Sequence, residues 1–252
     1  MISRNKYLKY WQELSASKEM ILLSGPRQSG KTTLARDIIG SSFANLSYFN
    51  YDFIESKKIL REDPYFFEKV DRTDASLPLV ILDEIHKHDK WKNYLKGIYD
   101  KFHGQYQFLV SGSGRLDTFQ KSGDSLAGRY FMFHLYPLTV GELGNSYLSP
   151  DDFLNDSIVV PVFKKELWDL WDTIDTFSGF PEPFIHGEKP FFNRWYNTYS
   201  RQLLYEDIRD MSGIRKIDSL VSLFSILPSK IGSPVSMNNL AMDIGTSFNT
   251  IS

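Results

Sequence analysis

Gly25-Pro26-Arg27-Gln28-Ser29-Gly30-Lys31-Thr32-Thr33, lying directly after the apolar run Met20-Ile21-Leu22-Leu23, decides the fold of this chain. The first eight of these residues carry the spacing G-x-x-x-x-G-K-[ST], which is that of a phosphate-binding loop. Successive backbone N–H groups in such a loop form a concave nest of partial positive charge, and the helix that follows aims its N-terminal dipole at the same point. A triphosphate fits there. Gly25 and Gly30 let the chain turn with no Cβ in the way, Lys31 can reach the β- and γ-phosphates, and the Thr32 hydroxyl is placed to ligate Mg²⁺. The context agrees with the motif, since an apolar strand precedes the loop and Thr33 to Ile39 reads as a helix opening.

Outward from the loop, strand and helix patterns alternate. Ile2, Tyr7, Leu8, Tyr10, Trp11 and Leu14 recur at helical spacing, which predicts a first helix packed on a sheet. Strands are expected at Met20 to Ser24, Leu46 to Tyr51, Leu79 to Leu82, Tyr106 to Val110 and Tyr130 to Leu135. Helical segments fall within 55–70, at Trp91 to Phe102 and near 117–127. Such alternation predicts a parallel five-stranded α/β sheet flanked by helices. After Pro137 the pattern turns helical, and residues 175–190, with Gly179, Pro181, Pro183, Gly187 and Pro190, read as the most loop-like part, a hinge or cap over a nucleotide.

The second motif is Leu79-Val80-Ile81-Leu82-Asp83-Glu84, an apolar strand ending in two carboxylates. It places Asp83 at the carboxyl end of the sheet, beside the phosphate loop. There Asp83 can hold the Mg²⁺ shell, while Glu84 can orient and deprotonate an attacking water. A GTPase would need an Asn-Lys-x-Asp guanine reader far downstream, and the sequence has none. His86-Lys87-His88-Asp89 lacks the Asn and reads as a polar loop; its two histidines are solvated or linked to a sensor rather than a metal pair. Ser111, with Ser113 as second choice, sits at the tip of the fourth strand, where a hydroxyl can hold the lytic water or the γ-phosphate; the alternative is a small-residue turn. Arg129, just before the fifth strand, can reach the γ-phosphate of an adjacent protomer, or else form a surface ion pair.

Composition narrows the classes further. The chain has 252 residues, a net charge of -2 and no cysteine, so disulfides, thiolate zinc sites, cysteine nucleophiles and a whole-protein field for nucleic acid are excluded. No stretch approaches ~20 uninterrupted apolar residues and the first ten residues lack an apolar core, which predicts neither a spanning helix nor a signal peptide, and a soluble cytoplasmic protein with no membrane partner.

Five blocks in order, Gly25 to Thr33, Leu82-Asp-Glu-Ile-His86 with Trp91, Ser111-Gly-Ser113, Leu126-Ala-Gly-Arg-Tyr130 leading to Leu135-Tyr-Pro-Leu138 and Glu142, and Gly179-Phe-Pro-Glu-Pro183, resemble the AAA-type ATPases of the AAA_14 group, which carry a DUF4143-like C-terminal region. The resemblance covers nearly the whole chain. It implies an AAA+ core with strand order 5-1-4-3-2 over residues 1–141, a helical lid over 142–210, and a helical, winged-helix-like start over 211–252. By this likeness Lys31 and Thr32 take the Walker A roles, Asp83 and Glu84 the Walker B roles, Ser111 the sensor position and Arg129 the arginine-finger position of a homo-oligomer. Arg194, Arg201 and Arg209 are all open as a second sensor. ATP and Mg²⁺ are the implied ligands, and ATP hydrolysis coupled to a change of conformation or assembly is the implied activity. A nucleotide-gated regulator with little hydrolysis is the alternative, and a small-molecule kinase is disfavoured by the acidic pair. Met237, Leu240, Ala241, Ile244, Gly245, Phe248 and Ile251 have helix-turn-helix spacing, so residues 236–252 are a candidate DNA contact, with the chain expected to end inside the second helix as a fragment of a longer protein. Residues 201–252 nevertheless carry five basic and five acidic side chains, which gives no basic footprint.

Overall fold

Alternate residues of a strand point to opposite faces, and here both faces are apolar, so the strands must be covered on both sides. The structure, a computed structural model, describes residues 2–113, 116, 126–144, 164–208 and 217–246, without the side chains of 206–208. The chain divides into two compact units, Met1–Gly187 and Glu188–Ser252.

The first unit opens with helix α1 (Asn5–Ser15) and strand β1 (Met20–Ser24). The phosphate loop leads into α2 (Thr33–Ile39), which is π-wound. Then follow β2 (Leu46–Asn50), α3 (Ile54–Glu62), β3 (Leu79–Asp83), α4 (Trp91–Phe102), β4 (Gln107–Ser111) and β5 (Phe131–His134). All pairings are parallel, in the order β2-β3-β4-β1-β5, which is the order the resemblance implied. Each strand lies within one residue of its expected bounds. The segment near 117–127 falls almost wholly outside the described residues.

The two faces build two cores. Met20, Leu22, Val80, Leu82, Phe108 and Val110 pack with Leu60, Leu95, Ile98 and Phe102 from α3 and α4. Ile21, Leu23, Leu79, Ile81 and Leu109 pack on the other side with Tyr7 and Trp11 of α1 and Leu34, Ala35 and Ile39 of α2. Phe67 knits the first core through edge contacts to Phe102 (5.1 Å) and Tyr106 (5.0 Å). Truncating a fully buried aliphatic residue such as Ile81 to alanine would cost roughly 2–5 kcal/mol.

The register fixes where the polar residues emerge. Asn50 pairs with Asp83, Asp83 with Ser111 and Leu23 with Ser111, so the tips of four strands share one rung at the carboxyl edge. Parallel bonds carry on past the tips: Glu84 N–H donates to Ser111 O (2.9 Å) and Gly112 N–H to Leu23 O (3.1 Å).

Beyond β5 come α5 (Val140–Leu143), α6 (Lys165–Phe177) and α7 (Pro181–His186). The loop-like reading of 175–190 is corrected here, because α6 runs to Phe177 and α7 fills Pro181–His186. Pro181 opens α7, a position where no intrahelical N–H bond is lost, so this proline starts a helix rather than breaking one. Gly179 is required by close approach, since a Cβ there would strike the Leu138 carbonyl while Leu138 N–H donates to Gly179 O (2.6 Å).

The second unit holds α8 (Lys189–Gln202) with a π-wound continuation Leu203–Ile208, then α9 (Ile217–Ile226) and α10 (Met237–Asp243). Among its described residues Trp195, Leu204, Leu240 and Ala241 are the buried apolar side chains. Ser236 caps α10 by accepting the Asn239 N–H (3.4 Å), and Gly245 at φ 65° ends it. The second helix of the expected helix-turn-helix, 247–252, lies outside the described residues.

Candidate nucleotide site

The carboxyl edge of the sheet carries a cleft of about 390 Å³ lined by Arg27, Gln28, Gly30, Lys31, Thr32, Thr33, Glu84, Pro181 and Glu182. Its floor is the phosphate loop. Gly25 has φ 151°, and a Cβ there would collide with the Leu135 carbonyl, so only glycine lets β1 leave the sheet at this point. Gln28 at φ 60° and Gly30 at φ 92° complete the turn. Lys31 is buried and its Nζ donates to the carbonyls of Gly25 (3.0 Å) and Pro26 (2.7 Å), which holds the ammonium inside the loop.

Asp83 lies one layer behind the cleft, 1% exposed. Ser111 Oγ donates to its Oδ1, while Thr32 Oγ1 (2.8 Å) and Tyr48 OH (3.0 Å) donate to Oδ2. Three hydroxyls on one buried carboxylate satisfy it and fix its direction. Asn50 Nδ2 in turn donates to the Tyr48 hydroxyl (3.1 Å), whose pKa burial and the neighbouring Asp83 charge push up to about 12. Thr32 and Asp83 together offer a hard, oxygen-only donor set with too few oxygens to fill a shell. Mg²⁺ suits such a set, because it retains water and takes phosphate oxygens.

Glu84 follows in the left-handed region at φ 56°, which a non-glycine residue adopts at a cost on the order of 1–3 kcal/mol. That turn brings its carboxylate into the cleft wall. Burial raises the Glu84 pKa above the usual carboxylate range, and the Lys87 cation works against the rise. Lys87 Nζ stands 3.2 Å from Glu84 Oε2 and 2.6 Å from Asp52, so one ammonium bridges the two carboxylates. His86, read from sequence as solvated or sensor-linked, is not solvated: it is buried with Nε2 3.4 Å from Ser113 Oγ and 3.7 Å from Glu84 Oε2. Gly112 makes room for it, as a Cβ there would overlap the imidazole.

The structure thus brings together Gly25 to Thr33, Asp83, Glu84 and Ser111, with Ser111 spent on Asp83 rather than on the cleft wall. Arg129 lies before β5, at the opposite edge of the sheet, where Nε donates to Asp100 Oδ1 (2.7 Å). Of the second-sensor candidates, Arg194 and Arg201 belong to the second unit, and Arg209 is outside the described residues. Tyr48, Lys87 and Arg4 escaped the sequence reading. A smaller cavity of about 140 Å³ shares Gly30, Thr33 and Pro181 with the cleft and is walled by Ile2, Arg4, Leu138 and Ile185. Among the described residues no helix is long and apolar enough to cross a membrane.

The AAA domain family AAA_14 matches residues 17–144, and a domain of unknown function, DUF8612, matches residues 169–252. The second match is not the DUF4143-like region that the resemblance implied. An uncharacterized protein of Methanocaldococcus jannaschii is 22% identical over 91% of this chain and 50% of its own length. One of Haemophilus influenzae is 23% identical over 96% of this chain and 59% of its own. The chain therefore spans about half the length of these curated relatives. Among solved structures, the Walker-type ATPase of Pyrococcus abyssi aligns over 97% of this chain and 89% of its own with a TM-score of 0.51 at 14% identity, a likeness of fold.

Proposed function

This chain belongs to the AAA_14 family of AAA domains, a P-loop ATP-binding class, and on that premise we propose that it hydrolyses Mg·ATP in the cleft above β1 and β3. The single observation that carries the reading is that Lys31, Thr32 and Glu84 line that cleft while Asp83, buried behind it, is in direct contact with Thr32. Loop N–H groups and Lys31 take the phosphate charge. Thr32 and Asp83 are the residues that would hold Mg²⁺, which would supply positive charge against the phosphates. Glu84 orients a water and accepts its proton as the water oxygen bonds to the γ-phosphorus and the bond to the β-phosphate oxygen breaks, releasing ADP and phosphate. Thr32, Tyr48 and Ser111 hold Asp83 still.

Pro181 and Glu182 stand at the mouth of the cleft, where they can cover a bound nucleotide. Arg129 completes the site of a neighbouring copy, and turnover drives a change of conformation or assembly. The test is phosphate release from Mg·ATP across a range of protein concentrations, with Glu84→Gln and Arg129→Ala alongside. Specific activity should rise with concentration, fall by ~10²–10⁴-fold in Glu84→Gln with ATP binding retained, and lose its concentration dependence in Arg129→Ala. Equal turnover in wild type and Glu84→Gln would remove the assigned base.

A further inference from the structure

Arg4 stands far from the phosphate loop in sequence and is 5% exposed. Its Nε donates to the Glu142 carboxylate, Nη1 to the Ser29 carbonyl (3.2 Å) and Nη2 to the Tyr136 carbonyl (2.7 Å). Its guanidinium lies 4.7 Å from the centre of the Tyr7 ring, and the Tyr7 hydroxyl accepts the Tyr136 N–H (3.2 Å). One buried cation thus ties together the start of the chain, the phosphate loop and the segment after β5.

Stability does not account for this. Burying an ion pair costs desolvation, and an apolar pair of the same volume commonly serves a core equally well. What the pair supplies is direction. In a trans peptide the C=O and N–H point opposite ways, so a Ser29 carbonyl fixed on Arg4 turns the Gly30 N–H away from Arg4. Gly30 lines the cleft and Arg4 does not, so that side is the one where phosphate would lie. Glu142 shows the same priority. Thr139 accepts the Glu142 N–H (3.2 Å) at the start of α5, the first half of a capping box, yet the Glu142 side chain goes to Arg4 instead of back to the cap.

We propose that Arg4, held by Glu142, is the positioning residue that aims the Ser29–Gly30 peptide of the loop at phosphate, so that this chain's affinity for a triphosphate depends on a cation outside the loop motif. The proposal rests on the nucleotide reading above and names one determinant of it. Binding to the phosphate moiety is its target, and the base contributes nothing to the effect.

The experiment is calorimetric titration of the full chain with Mg·ATP and, separately, with magnesium tripolyphosphate, which has no base. Wild type is compared with Arg4→Lys and with the apolar pair Arg4→Met/Glu142→Leu, each melted first to establish folding. Arg4→Lys keeps the charge but cannot serve three acceptors in a plane. Both variants should bind both ligands about 10- to 100-fold more weakly and by the same factor, even though the apolar pair melts no lower than wild type. Wild-type affinity in the folded apolar pair would make the clamp structural only and overturn the proposal. A loss confined to Mg·ATP would place the effect on the base and overturn it equally. Should the apolar pair fail to fold, Arg4→Lys and Glu142→Gln decide by the same two criteria. Wild type that binds neither ligand overturns the nucleotide reading itself, an outcome distinct from the other two.

Discussion

The two edges of the one sheet are built differently. At the carboxyl edge Asp83 and Ser111 are buried and joined through hydroxyls into one network with Thr32 and Tyr48, while the buried Lys31 is held on the Gly25 and Pro26 carbonyls and the buried His86 lies beside Ser113 and Glu84. At the amino edge the charged groups are paired on the surface, Arg129 with Asp100, His103 with Glu19 at 3.4 Å, and Lys18 on the Gly128 carbonyl at 2.7 Å, and the buried polar residues there, Asn45 and Gln107, are neutral amides. Surface pairs are screened and contribute little, whereas a buried network is stabilising only when complete. The buried charges, which folding alone does not favour, are therefore gathered at one edge, and that edge also holds the strained Glu84 and the glycine turns of the loop.

Breaking the buried edge should have the largest effect. Lys31→Ala removes the ammonium that faces the phosphates, and Mg·ATP turnover should fall by about 10²–10³-fold with affinity reduced as well. Titration calorimetry and phosphate release check both. Undiminished binding in Lys31→Ala would erase the distinction between the edges.

The pH dependence sharpens the same contrast. Below its folded pKa Glu84 is protonated and cannot take a proton from water, so turnover should drop about tenfold per pH unit on the acid limb and level off above it. Because burial raises that pKa, the limb should lie above the ordinary carboxylate range, and Lys87→Met should move it higher still, since the Lys87 cation now opposes the rise. A limb that stays put in Lys87→Met would assign the titration to another group.

Tyr48→Phe is a smaller test. It deletes one of the two hydroxyls on Asp83 Oδ2 and leaves the ring in place. Turnover should fall by about 3- to 10-fold, the order of one neutral hydrogen bond, with a weaker response to Mg²⁺ in a metal titration. An unchanged Mg²⁺ response would mean that Tyr48 only packs.

What was legible in the sequence follows the range of the interactions. The loop at 25–33 and the strand tip at 79–84 are local patterns, so their place at the sheet's carboxyl edge and the five strands could be read directly. Tyr48 could not, because its hydroxyl meets Asp83 only through the pairing of Leu46 with Leu79. Arg4 and Glu142 are separated by 138 positions, and no spacing rule connects them. His86 looked like part of a polar loop because its burial depends on Gly112, the residue just past the tip of β4. Residues 175–190 misled through composition, since Pro181 and Gly187 mark the ends of a helix rather than its absence.

The smallest effect should come from the amino edge, and it separates two roles for Arg129. In dilute protein Arg129→Ala should leave Mg·ATP affinity unchanged, because the parallel strand β5 puts Arg129 at the far end of the sheet from its own phosphate loop. Asp100→Asn supplies the control. It weakens the same ion pair while keeping the arginine, so a surface pair predicts that the two variants behave alike at every protein concentration. A finger acting on a neighbour predicts that they part as concentration rises, with Arg129→Ala losing the gain in turnover and Asp100→Asn, whose arginine is freed from its partner, keeping or exceeding it. Sedimentation run beside the assay tells whether copies associate over that range. Identical concentration profiles for the two variants, with association present, would leave Arg129 as a surface pair and confine the chemistry to the carboxyl edge.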